Sequence, residues 1–563
     1  MKNIRFCLLI IFLSLFSTAK AQQVADEDHR TPAQVAWSEE YQEPANSEIK
    51  KIIATEGGGF YALRMHSGGL MGQGAQKPLI EYYNGRMKLV RSRELDLAYS
   101  GKDRFIKDVV MVSGRLWLLS YFYNEKHEKT YLFAQEINKN TLGLMKEVIK
   151  IGEQAETNRN HEDVFSVAQS RDSSKVVIFN RQPQSKDGQS FSLSVFDADF
   201  NEMWGKDAKL PYGKKNFKVN DYQVDNKGNV YLLGIIYTEG ANRLKRDGKA
   251  TYQYDIVAYM RDSTIDVQEY KIALKDKFVT DLTFRIADDG EMICAGFYSE
   301  KDVKGVKGSC FFKINPKTKD MTSISTREFD FNFMTANLSE KSKAQAKLAI
   351  EHDDKTREPE LFDYSIDKLI MRSDGGVIMI AEQYYIEERR LDNSPYGNNA
   401  YGYNSWNSPY YSSFYNPYGY NRYGNNRNRV DYYYNYNDVI VVNIQPDGEI
   451  AWTSRIPKHQ VSINDQGIYS SYAMSIVADK LYFAYNENPK NLDPNRKKNV
   501  SETPDKYSVV TLAEVSKDGS LKRYPMFSNK DKGIVTRPKS VAKSVGAIWQ
   551  FMVKVGAIIG LVC

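Results

Sequence analysis

Apolar residues in this chain come in runs of about six, each introduced by a turn pair and often closed by glycine or another small residue. The copies are GGFYALR (58–64), GRLWLLS (114–120), SKVVIFN (174–180), GNVYLLG (228–234), GEMICAG (290–296), GGVIMIA (375–381) and DKLYFAY (479–485). A short run that is apolar throughout fits a strand buried on both faces. A strand-like run precedes each copy, as in NDYQVDNK and TDLTFRIADD, and another follows it, as in SLSVFDADFN and SCFFKINPKT. A fourth run, such as KLVRSREL or GEIAWTSRIPK, alternates apolar and charged positions, the pattern of a strand with one face in water. Four short strands joined by Asn-Gly and Asp-Gly turns form a hairpin meander.

The first five copies start at 58, 114, 174, 228 and 290. A four-stranded unit recurring at this spacing predicts an all-β fold, a β-propeller of seven four-stranded blades or eight. Two or three β-sandwiches are the competing architecture, but they do not require one strand quartet to recur in fixed order. Two later gaps are longer and return to the common period if about 333–360 and about 387–436 are insertions. The propeller is expected over 22–530, followed by an apolar tail, 531–563. QVAWSEEYQEP (34–44) resembles the fourth-strand run GEIAWTSRIPK, so residues 34–43 are expected to add a strand where the ring closes. LKRYPMF gives the last unit its own fourth strand, so either one strand is redundant or the tail builds part of an eighth blade.

DNKGNVYLLG and ADDGEMICAG resemble the D-x-x-G core of exported bacterial propellers of the NHL and related types. VVNIQPDGEIAW and FKINPKTKDM are similar to the strand pair of quinoprotein-type propellers. The start of the chain and the Tyr/Asn-rich insertion also look like proteins of Bacteroidetes-type bacteria. The resemblance covers about 34–528 and implies a propeller exported to the cell envelope.

The first 21 residues read as a cleavable signal: Lys2 and Arg5, the apolar run Phe6–Phe16, then Ala19-Lys20-Ala21. The expected location is the periplasm, the outer membrane or the exterior. A net charge of +6 over 563 residues gives no case for nucleic acid. The three cysteines beyond the signal are too few for a disulfide framework, and Cys294 and Cys310 fall on consecutive strands where a bond or two free thiols are both open. Lys554 sits inside the apolar stretch 544–563, which favours packing over membrane anchoring.

Catalytic patterns are absent. The six histidines have no metal-ligand spacing, and no nucleophile elbow or phosphate loop occurs. Acidic pairs such as those in HEDVF (161–165) and ADDGE (287–291) read as turn formers before calcium ligands. No cofactor or metal is expected. NLSEKSKAQAKLAIEH (337–352) predicts a surface helix capped by Asn337, with Leu348 and Ile350 its main apolar residues. From Ser394 to Val430 the chain has no Asp or Glu, and tyrosine alternates with Asn, Gly and Ser. This composition builds no core of its own but suits an adaptable contact surface. Trp406, Tyr411, Tyr415, Tyr418, Tyr420, Arg422 and Tyr423 are the candidate contact residues. The expected function is a non-catalytic scaffold for an envelope protein or a glycan. The alternative is a glycan-binding protein, hydrolase or lyase with its site at the channel mouth.

Overall fold

The structure is a computed structural model. It describes residues 31–562 except 39–43, 45–46, 55–57, 67–77, 156–163, 182–189, 211, 213–216, 238–244, 247–248, 251, 264–266, 276, 301–304, 355–356, 391–401, 404–429, 494–499, 504–506, 545–547 and 554–557. The signal-like start therefore lies outside the described residues.

Each of the seven apolar runs becomes the second strand of a four-stranded antiparallel sheet. These sheets span 47–94, 105–155, 165–209, 217–271, 277–328, 364–456 and 473–528. They stand in a ring as the seven repeat blades of a β-propeller. Burial follows the sequence pattern. In blade one the second strand, Phe60–His66, is buried along nearly all its length, whereas the fourth, Leu89–Glu94, is mostly exposed. The core lies between blades. One cluster joins Leu233 and Ile256 of blade four to Phe284, Cys294 and Phe312 of blade five. Cys294 and Cys310 are free thiols in that cluster, and burial raises the pKa of both, Cys310 to about 12.

The recurring turns have a simple origin. In blade four Asp225 Oδ1 accepts the amides of Lys227 (2.9 Å) and Asn229 (2.8 Å), and Gly228 takes φ +89°, which a Cβ would disfavour. The same turns dock neighbouring blades. Trp204, on the outer strand of blade three, donates its indole N–H to Gly228 O at 2.9 Å, and Trp452 of blade six donates to Lys517 O of blade seven at 2.6 Å. The tryptophan of the fourth-strand pattern is thus a peg between blades.

Both chain ends build a further four-stranded sheet. Thr536–Ser544, Ile548–Val553 and Ile558–Val562 pair in order, and Gln34–Trp37 completes the sheet, with Gln34 opposite Val562 and Trp37 opposite Ile559. Its inner strand, Thr536–Ser544, packs against the inner strand of blade one and the first two strands of blade seven. The N-terminal strand therefore closes the ring, but on this terminal sheet and not on blade seven. The outer position of blade seven is already filled by Leu521–Ser528.

The helical insertion is present as Phe331–Thr335 and Glu340–Glu351, on the surface, with Leu348 and Ile350 exposed. Its cap differs from the expected one. Ser339 accepts the Ser342 amide, while Asn337 turns away to donate to Asp438 at 2.5 Å. Among the described residues, no helix is long and apolar enough to cross a membrane.

Candidate functional site

Blade six departs from the pattern of its neighbours. Its second and third strands, Val377–Arg390 and Val430–Ile444, are 14 and 15 residues long. The outer strand, Ile450–Ile456, pairs only with Val439–Ile444. Beyond a bulge between Glu382 and Tyr384, the long strands run on as a hairpin from Tyr384 opposite Tyr436 to Arg390 opposite Val430. The short strand Gln460–Ile463 supports one edge, pairing with Tyr433–Tyr436. The Tyr-rich segment is therefore carried between the second and third strands, as its position in the sequence implies. The insertion itself is shorter than 387–436, because 387–390 and 430–436 are strand.

Alternation along these strands gives the hairpin two faces. Tyr384, Ile386, Tyr432, Tyr434 and Tyr436 share one face in a small buried cluster, with the Tyr384 and Tyr436 rings 4.6 Å apart. Tyr436 is held from the other side by Gly467, where a Cβ would stand 2.3 Å from its ring. Burial raises the pKa of Tyr384 and Tyr436 well above the ordinary phenol value. Tyr432, Tyr434 and Tyr436 lie beyond the acid-free tract and do not pack on their own. Strand pairing sets them opposite Tyr384 and Ile386 and supplies the packing that composition alone lacks.

The opposite face is open. Tyr385, Glu387, Arg389, Tyr433, Asn435 and His459 line a pocket of about 290 Å³, with Glu502 also in its wall. Arg389 lies 3.9 Å over the Tyr433 ring and bonds Glu387 at 3.0 and 2.9 Å. This wall combines an aromatic face, a cation, a carboxylate and an amide, which suits binding of a ring or a peptide edge.

Charges that the sequence keeps far apart meet at the root of the hairpin. Lys458 Nζ is paired with Glu382, and both side chains are fully buried. Glu382 also accepts from Ser471 Oγ (2.7 Å), and Lys458 donates to Gln460 Oε1 (3.1 Å). Burial raises the Glu382 pKa and lowers that of Lys458, and their mutual attraction opposes both shifts. Asp438 takes Arg455 Nε at 2.6 Å and the Lys458 amide at 3.0 Å. Tyr472 donates to Asp367 at 2.6 Å, which joins blades seven and six. Lys539, from the terminal sheet, hydrogen-bonds the Tyr436 hydroxyl.

The candidate contact residues Trp406, Tyr411, Tyr415, Tyr418, Tyr420, Arg422 and Tyr423 lie outside the described residues. The acidic turn of ADDGE does what turn carboxylates do: Asp289 Oδ1 accepts the Glu291 amide at 3.0 Å. Among the described residues, no group of three or more His, Cys, Asp or Glu could hold a metal ion. Sequence reasoning passed over Glu382, Lys458, Asp438 and Lys539. The only local hint was Glu382 directly after the apolar run GGVIMIA.

No protein-family model matches this sequence, and no curated protein does. Among solved structures, the chain is similar to the β-propeller domain of the Trilobed protease from Pyrococcus furiosus, described as having an open velcro topology. Identity is 10%, coverage 84% of this chain and 96% of that one, and the TM-score 0.32. It is also similar to prolyl oligopeptidase B from Galerina marginata, at 9% identity and TM-score 0.32, covering 78% of this chain but 46% of that one. The α-L-arabinanase of Penicillium chrysogenum matches at 8% identity and TM-score 0.31, over 62% of this chain and 94% of that one. At these values the likeness extends to no residue and no activity.

Proposed function

We propose that this chain is an exported, non-catalytic scaffold of the periplasm or outer membrane that holds an envelope protein or a glycan at blade six. The observation that carries this reading is the hairpin that outgrows its blade, paired from Tyr384–Tyr436 out to Arg390–Val430 and braced by Gln460–Ile463. It is a stiff mount, with an aromatic and charged pocket on one face, for a segment whose composition suits contact. The candidate contact residues Trp406, Tyr411, Tyr415, Tyr418, Tyr420, Arg422 and Tyr423 would supply aromatic area and a donor for carboxylates.

The hydrolase alternative requires carboxylates that face a substrate. Glu387 and Glu502 line the blade-six pocket, and burial pushes up to about 7 the pKa of Asp281, on the inner strand of blade five, with Asp221 of blade four adding to the shift. The Asp281 oxygens are occupied by the amides of Leu282 and Ile366, both at 2.9 Å, so it ties blade five to blade six. In the pocket Glu387 is likewise engaged, by Arg389, and this supports binding over hydrolysis.

The test is to replace residues 391–429 with a short Gly-Ser linker and, separately, to make Arg389→Ala with Tyr433→Ala. Loop length enters stability weakly, so the linker variant should keep its thermal midpoint. Crosslinking in native cells, together with a glycan array, should show partner recovery lost in both variants. Unchanged stability with unchanged partners in both would refute the reading.

A further inference from the structure

The open face of the blade-six hairpin continues past the hairpin itself. Tyr385 lies opposite Asn435, and Asn435 opposite Val461; Glu387 lies opposite Tyr433, and Tyr433 opposite Ile463. Residues directly opposite one another in an antiparallel pair share a face, so these two rows form one surface. A further segment flanks the edge strand. Gln460 bridges to Thr503 in parallel, and the Thr503 amide donates to His459 O at 2.8 Å. That brings Glu502 beside His459, and both line the same pocket as Tyr385, Glu387 and Tyr433.

The two flanks of the pocket carry the same kind of acceptor with different partners. On the hairpin flank, Glu387 accepts Nε and Nη2 of Arg389 at 3.0 and 2.9 Å, and that guanidinium lies 3.9 Å over the Tyr433 ring. A carboxylate and an aromatic face thus hold a cation, and the protein's own side chain supplies it. On the other flank Glu502 is exposed, and among the described residues its carboxylate has no ion-pair partner. Val461 and Ile463 line the pocket with it, and Ile463 is 50% exposed although apolar. Two carboxylates therefore face a single guanidinium, and the unmatched one shares the pocket with an aliphatic strip.

This arrangement fits a lysine or arginine side chain, whose methylene stem covers apolar surface while its charged head seeks a carboxylate. An anionic ligand is disfavoured, because Arg389 is already bonded by Glu387 and a further carboxylate would meet Glu502. A neutral sugar gains nothing from the excess negative charge. At about 290 Å³ the pocket lies at the lower edge of the range for ligand sites, roughly 300 to 1,000 Å³, which is room for one residue of a partner.

We propose that this pocket takes a lysine or arginine side chain from an extended segment of a partner protein, paired with Glu502 and packed on Val461 and Ile463. This deepens the reading of blade six as a partner-binding site, on which it rests, and narrows the partner to a protein that presents a basic residue.

The experiment measures binding of end-blocked Gly-Ser-Val-Xaa-Val-Ser-Gly peptides to the intact protein by isothermal titration calorimetry, with lysine, arginine, norleucine or glutamate at Xaa. The lysine and arginine peptides should bind about tenfold more tightly than the norleucine peptide at ~0.05 M salt, the gain of one charge-assisted hydrogen bond, and the advantage should shrink at ~0.5 M salt. Glu502→Gln should remove the advantage and leave the thermal midpoint unchanged, because the side chain is exposed. Ile463→Ser should weaken both basic peptides. Failure of both to bind at millimolar concentration, equal binding of the glutamate peptide, or an advantage that survives Glu502→Gln would overturn the proposal. So would a lysine advantage that appears only after residues 391–429 are replaced by the linker, which would assign the pocket to the chain's own Arg422, Arg427 or Arg429. Binding of a neutral oligosaccharide that is lost in Glu502→Gln, with no preference among the peptides, would assign it to a glycan instead. If Arg389→Ala with Tyr433→Ala loses its crosslinked partners while the peptides show no preference, the ligand class alone fails. If partner recovery is unchanged as well, the blade-six reading fails with it.

Discussion

Replacing Lys458 by methionine keeps an unbranched side chain, one atom shorter, and removes the charge from a site where neither partner sees solvent. Glu382 is then left with Ser471 as its side-chain donor. Breaking a buried ion pair by deleting one member costs roughly 3 to 5 kcal/mol, because the remaining charge is uncompensated. The loss should depend on pH. Burial already holds the folded-state pKa of Glu382 above its unfolded value, and loss of Lys458 removes a group that was lowering it. A carboxyl with a raised folded pKa favours the fold while protonated, and that advantage is lost as pH rises. Lys458→Met should therefore be destabilised more at pH 8 than at pH 5. The double variant with Glu382→Gln should recover much of the loss, since no charge stays buried. Urea denaturation at both pH values gives the midpoints. A loss below about 1 kcal/mol at pH 8, or an equal loss at pH 5 and pH 8, would show that the pair is solvated and refute the reasoning.

Other outcomes follow from single contacts. At Gly234 a Cβ would lie 1.9 Å from Phe217 Cζ, so Gly234→Ala should cost about 1 to 3 kcal/mol by overpacking, read as a lower thermal midpoint. Trp452→Phe removes the indole donor to Lys517 O and should cost about 0.5 to 1.5 kcal/mol, measured by denaturant midpoint. Burial pushes the Asp281 pKa up to about 7, so its contribution is present at low pH and lost as pH rises towards 7. The wild type should accordingly lose stability relative to Asp281→Asn between pH 4 and pH 7 in a pH series of thermal melts.

The strands were legible because their causes are local. A second strand buried on both faces must be apolar at every position, and the Asp-x-x-Gly turn needs only its own side chain and one positive φ. The place of the Tyr-rich segment between two strands of one blade could be read for the same reason, as could the helix, though not its cap. Asn337 had the composition of a cap, but Asp438, 101 residues away, draws its side chain off and leaves Ser339 to do the capping.

The sequence by itself determined the all-β repeat, its turns, its two insertions and an N-terminal strand suited to closing the ring. Only the tertiary structure decided where that strand closes. Both chain ends had to come together before Gln34–Trp37 could pair with Ile558–Val562. The tertiary structure also decided which tyrosines are buried, because Tyr434 and Tyr436 owe their environment to the register with β-strand Val377–Arg390. The charges at the root of the hairpin depend on it most. Glu382, Lys458, Tyr436 and Lys539 come from separate segments of blade six and from the terminal sheet, and none is unusual in its local sequence. Local backbone preference acts over a few residues, whereas desolvation and ion pairing act through space between segments that only the closed ring brings together.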